Sequence, residues 1–231
     1  MNEYRFISPL KILQGSSDRY PGPGTTGVVL SRAGGGKTAC LVHIAFDKLL
    51  KGEKVVHVSI DETPEKVTDY YTVRFNNVAK ALELPDDFDS QGLLTSNRMI
   101  LAYMNDTFSV QRLRDNLENL YKNMAFKPDV IVIDGLSVNN AGRKLVEGIK
   151  SLGKDMDMEI WMSALYHRHI DKTNSRGIPY PLDEIDDLFD FILQLRPEGS
   201  LTYLYMLKNG DNESSSGNAR LQLDPRTFLV L

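Results

Sequence analysis

The chain has 231 residues, 42% hydrophobic and 25% charged, with a formal net charge of -4. That length suits one large α/β core better than two small ones, and the acidic balance gives no overall positive field to draw nucleic acid or anionic lipid. A single cysteine, Cys40, excludes an internal disulfide and fits a reducing compartment.

The opening stretch MNEYRFISPLKIL carries no basic-then-apolar signal pattern. No run reaches the ~18 apolar residues of a membrane span. The expectation is a cytoplasmic protein with no membrane segment, one domain over 1–231, and a lead-in segment over 1–24. GSSDRYPGPGTTG (15–27) is rich in Gly, Pro and Ser and reads as loop. GVVLS then suits a short buried strand. KTACLVHIAFDKLLKG places Leu41, Ile44, Ala45 and Leu49 at helical spacing and closes on Gly52. KVVHVSI (54–60) is a β-branched strand. Thr63, Pro64 and Glu65 supply a cap, a first-turn proline and an acid, so a helix is expected from there.

PDDFDSQG (85–92) reads as a polar loop and RMILAYM as a strand. SVQRLRDNLENLYKNM carries a helical stripe through Val110, Leu113, Leu117 and Leu120. DVIVIDGLS is a buried strand ending in an acid, GRKLVEGIKSLGKDM a helix, and MEIWMSAL a further strand. Strands alternating with helices imply a mostly parallel sheet covered on both faces. LTYLYML (201–207) and ARLQLDPRTFLVL (219–231) are hairpin material, so the sheet is expected to end in antiparallel strands.

The chemistry centres on VVLSRAGGGKTACL. The phosphate-loop pattern G-x-x-x-x-G-K-[ST] maps onto Ser31 to Thr38, with Ser31 in place of the first glycine. Gly34, Gly35 and Gly36 let backbone amides curl around phosphate, with Ala33 and Ala39 flanking the cradle. The helix that follows offers its positive end. Lys37 would reach the β- and γ-phosphates, and the Thr38 hydroxyl would ligate Mg2+. A glycine turn with a chance lysine is the bland alternative; a strand before and a helix after favour the phosphate reading.

Hydrolysis also needs a carboxylate at the metal and a group that activates water. Asp134 ends an apolar strand, where open α/β sheets build their sites. It is either a metal-side acid or a simple strand terminator. Asp61 and Glu62 follow the strand after the phosphate-loop helix; they serve a helix start, catalysis, or both.

Together these residues resemble the RecA-like P-loop ATPases, and within them the KaiC and DnaB branches. SIDETPEKV is similar to the KaiC stretch in which two acids precede Thr-Pro, and LSRAGGGKT to the DnaB loop that also lacks the first glycine. EIWMSALYHRH and YPLDEIDDLFDFILQLRP are similar to later DnaB-type segments. The resemblance implies a RecA-like sheet, ATP with Mg2+, and a homo-oligomeric ring, usually a hexamer, with ATP between subunits. It implies a water-activating role at Asp61 or Glu62, a sensor at Ser163 followed by Ala164 where helicases place glutamine, and a cationic finger at Lys208 where arginine is common. Lysine lacks the planar fork of arginine, so weaker transition-state stabilisation is expected.

Weaker signals remain open. YHRHIDKTNSR holds His167, Arg168, His169, Lys172 and Arg176; a solvated loop, a single-stranded nucleic-acid loop and, least, a metal site are the readings. Tyr70 and Tyr71 are read as packing before base stacking, and His57 as a satisfied strand histidine. Three functions stand: a KaiC-like regulatory or assembly ATPase, with a protein partner conceivable; a DnaB- or RecA-like motor on single-stranded DNA; and a nucleotide-sensing scaffold with little turnover.

Overall fold

A computed structural model of the chain describes residues 7–13, 20–85, 88–166, 172–210 and 219–231. Eight strands form one sheet in the order β3-β2-β4-β5-β1-β6-β7-β8. They are β1 (Thr26–Ser31), β2 (Val55–Ile60), β3 (Arg98–Tyr103), β4 (Val130–Asp134), β5 (Glu159–Leu165), β6 (Phe191–Glu198), β7 (Leu201–Asn209) and β8 (Arg220–Leu223). β1 to β6 pair in parallel; β6 with β7 and β7 with β8 are antiparallel, as expected. β1 and β2 are buried at every position, the near-continuous apolar run of a strand covered on both faces.

Helices α1 (Lys37–Leu49) and α2 (Pro64–Ala81) pack on one face with α3 (Ser90–Asn97). α4 (Val110–Met124) and α5 (Val138–Asp155) cover the other. Each face has its own core, one around Phe46, Tyr71, Phe75 and Trp161, the other around Leu113, Leu117, Ile131 and Met162. No helix among the described residues is long and apolar enough to cross a membrane.

Four departures from the sequence reading have physical causes. The stretch read as polar loop over 85–92 turns into α3 at Ser90: the Asp89 carboxylate accepts from Gly92 N at 2.7 Å, and Leu94 is buried. Within the lead-in, Pro9–Leu13 is a 3-10 turn whose Leu10 and Leu13 enter the core. The strand read over 219–231 stops at Leu223, because Asp224 caps a tight turn. Finally, helical structure begins at Val138, ahead of the helix expected from Gly142, and is broken at that glycine, whose φ of 66° is non-helical.

One strand pairing depends on a missing side chain. A Cβ on Gly27 of β1 would lie 2.5 Å from the Trp161 ring of β5, so only glycine lets the indole lie flat beside it. Trp161 Nε1 donates to Glu159 Oε1 at 2.7 Å, and the other Glu159 oxygen takes the buried Lys48 ammonium.

Candidate functional site

Parallel pairing brings the ends of β1, β2, β4 and β5 to one edge of the sheet, where open α/β sheets place their ligands. β1 ends in Ser31, which is fully buried. Its hydroxyl donates to the Arg32 carbonyl at 2.8 Å and fills the hollow of the loop. A Cβ on Gly35 would sit 2.5 Å from that hydroxyl oxygen, so the serine and the glycine fit as a pair. Gly35 N also donates to Arg32 O at 3.1 Å. Gly34 and Gly36 take φ of 69° and 89°, the left-handed region glycine adopts at least cost. Gly36 then starts α1, its carbonyl accepting from Cys40 N at 2.9 Å. Ala33 is exposed on the loop, and Ala39 is buried in the first turn of the helix.

Lys37 Nζ donates to the Arg32 carbonyl at 3.1 Å. Burial holds its ammonium below the ordinary lysine range, and the Asp134 carboxylate partly offsets this. Thr38 Oγ1 donates to Asp134 Oδ2 at 2.5 Å, joining the first turn of α1 to the end of β4. Asp134 Oδ1 accepts from Gly135 N at 3.0 Å, and the same N–H reaches Ser163 Oγ of β5 at 3.1 Å. Thr38, Asp134 and Ser163 are therefore linked through the Gly135 amide, and the Asp134 carboxylate acts on the Lys37 ammonium electrostatically.

Neither a protein-family model nor a curated protein matches the chain in sequence. Among solved structures, an ATPase domain superposes with a TM-score of 0.67 over 90% of this chain and 85% of that one, at 14% identity. The fold is RecA-like.

The RecA-like site edge also carries Asp61 and Glu62, but in other company. Ser59 is in register with Asp134, so the acids stand just past the strand end. Asp61 has a φ of 67°, unusual for a residue with a side chain. Its N–H donates to Tyr103 O at 2.9 Å, and its Oδ1 accepts from Asn105 N at 2.8 Å. Its carboxylate is thus turned toward β3. Glu62 pairs with Lys66 at 2.6 Å, and Thr63 caps α2 through Lys66 N at 3.4 Å, so this turn serves as the helix start as well.

Lys208 lies elsewhere on the RecA-like sheet. It pairs with Ile192, which pairs with Val28, three positions before Ser31. Strand geometry puts that ~10 Å down the sheet from the loop and two strands across. Its ammonium donates to the Asp186 carbonyl at 2.9 Å, and burial lowers its pKa.

His167, Arg168 and His169 lie outside the described residues. Lys172 is paired with Asp183 at 2.9 Å and Glu184 at 2.7 Å, and Arg176 with Asp186 at 2.6 Å. Tyr71 is core, its hydroxyl 3.1 Å from His57 Nδ1, while Tyr70 is exposed. The His57 expectation holds for one ring nitrogen only, since Nε2 has no hydrogen-bond partner.

Arg32 is part of the loop's resemblance in LSRAGGGKT, and its Nε donates to Tyr166 OH at 2.9 Å beside the loop; no signal in the single sequence pointed to Phe228, which packs on Gly36.

The oxygens present suit a hard divalent cation: a threonine hydroxyl and a carboxylate already within hydrogen-bond reach of each other. Among the described residues no group of three or more His, Cys, Asp or Glu side chains is placed to hold a metal, so phosphate and water would complete its shell.

Proposed function

We propose that the chain binds ATP with Mg2+ and hydrolyses it slowly, as a KaiC-like regulatory or assembly ATPase. The observation that carries this is the convergence of Lys37, Thr38 and Asp134 behind a loop with two left-handed glycines. The structural neighbour is itself an ATPase domain. Loop amides and the start of α1 would cradle the phosphates, and Lys37 would neutralise the β- and γ-oxygens. Thr38 and Asp134 would hold Mg2+, which withdraws charge from the same oxygens. Slow turnover is supported by Asp61 and Glu62, whose carboxylates are engaged by the Asn105 amide and Lys66. Lys208 stands too far from its own loop to assist there, so in this reading it acts, if on phosphate at all, in a ring of copies at a neighbour's site.

The regulatory reading is preferred to a motor on single-stranded DNA because Lys172 and Arg176 are spent on carboxylates of the same chain. Phosphate contacts would have to displace those ion pairs.

The test is Mg-ATP binding and phosphate release, with and without single-stranded DNA, alongside particle size by light scattering. Lys37→Ala should abolish ATP binding; retained affinity overturns the site. Asp61→Asn and Glu62→Gln, made separately, should preserve binding, and at least one should slow turnover. Strong DNA stimulation that salt removes would favour the motor.

A further inference from the structure

The turn after β8 is fastened to α1 and α2, beside the glycine-rich loop. Asp224 Oδ1 accepts from Arg226 N at 2.9 Å and Thr227 N at 2.7 Å, and Phe228 N donates to Asp224 O at 2.7 Å. The carbonyls of this turn are held by side chains. Arg226 O accepts from the Arg74 guanidinium of α2. Thr227 O accepts from Nε2 of the buried His43 of α1 at 2.6 Å, which sets that nitrogen as the protonated one.

Between these clamps Phe228 takes a φ of 61°. Bulky residues avoid the left-handed region, and such strain persists only where the surroundings over-determine it. Phe228 is 7% exposed, and Arg74 lies over its ring, 5.5 Å from guanidinium carbon to centroid. The edge of the ring meets Gly36: a Cβ there would overlap it at Cζ and Cε1. Gly36 is the residue whose left-handed backbone turns the loop into α1. The aromatic wedge and the glycine hinge are therefore complementary, each in a conformation that fits the other.

We propose that Phe228 is a positioning residue for the phosphate loop. Its ring holds Gly36 in the left-handed conformation that aims the loop amides at phosphate, so the Asp224–Leu229 turn sets nucleotide affinity without touching nucleotide. The proposal rests on the reading of the loop as a nucleotide site.

The test pairs two measurements: affinity for a fluorescent ATP analogue with Mg2+, and hydrogen exchange of the 31–41 segment without nucleotide. Phe228→Ala should weaken affinity about tenfold, and Arg74→Ala about threefold, the scale on which backbone strain of this kind acts. Both should speed exchange in 31–41 while leaving 130–134 in β4 unchanged. Phe228→Leu, which keeps apolar bulk on Gly36, should stay within about threefold of the parent in affinity. Should Phe228→Ala fail to fold, Arg74→Ala decides, because that side chain is only half-buried.

Weaker affinity with unchanged exchange overturns the proposal, since the ring would then act on nucleotide directly. Faster exchange with unchanged affinity also overturns it. If the parent chain binds no ATP analogue, the nucleotide reading falls, and exchange alone judges whether Phe228 positions the loop.

Discussion

Lowering the pH from 7 to 5 should cost this fold about 4 kcal/mol, because two imidazoles are buried neutral. His43 and His57 are both fully buried, and burial pushes each from the ordinary 6.5 down to about 4. Between those values the unfolded chain binds a proton at each site and the folded chain does not, so stability rises with pH through the window and is lost as pH falls. From 6.5 to pH 5, at 1.36 kcal/mol per pH unit, each site contributes about 2 kcal/mol. Glu53 opposes this weakly, because burial holds its carboxyl above the usual range and the fold takes up that proton early. Asp187 and Asp224, held below the usual range by hydrogen bonds, lose their stabilisation at lower pH, outside the window. Urea melts followed by far-ultraviolet circular dichroism at pH 7, 6 and 5 measure the slope. His43→Gln should roughly halve it. A change of less than about 1 kcal/mol from pH 7 to 5 would show that the imidazoles are hydrated and that the packing around them is wrong.

Further outcomes follow from contacts already described. Lys48→Met should destabilise by about 3–5 kcal/mol, because it leaves the buried Glu159 carboxylate without its cation; urea midpoints at constant m-value check this. Gly135→Ala combines a φ of 89° with a Cβ 2.5 Å from the Ile60 carbonyl oxygen, so it should lower the melting temperature and weaken ATP-analogue binding together. Gly27→Ala should cost about 1–3 kcal/mol by crowding the Trp161 ring, with ATP affinity little changed. ATP affinity should weaken on the alkaline side before the ordinary lysine pKa of 10.5 is reached, since Lys37 loses its proton early; titration at rising pH in constant salt would show it.

Much of the architecture was legible because parallel strands announce themselves. VVHVSI and VIVID are apolar almost throughout, and both are strands buried on two faces. The turn from β1 into α1 was legible because three consecutive glycines separate an apolar strand from a helical stripe. What escaped notice depended on tertiary partners. SQGLLTSN has two adjacent large apolar residues and no stripe; packing of Leu94 and the Asp89 cap make it helical. TFLVL reads as strand by composition, but Asp224 captures the backbone amides first. The roles of Asp61 and Glu62 could not be separated in sequence, since the same acids suit a helix start, and the structure shows both engaged by near neighbours. Phe228 was invisible because its partner, Gly36, is far away in the chain, and glycine leaves no hydrophobic signature.

The tight contact between Gly27 and the indole beside it has a practical consequence for spectroscopy. Trp161 is the only tryptophan in the sequence, wholly shielded, with Phe191 stacked at 6.1 Å. It lies four residues before Leu165, ~13 Å from the strand end that borders the phosphate loop. Its emission should be blue-shifted in the native protein and move to the red only when the β1, β5 and β6 junction comes apart. The molecule thus carries an intrinsic fluorophore tuned to global unfolding and nearly blind to what occupies its opposite rim.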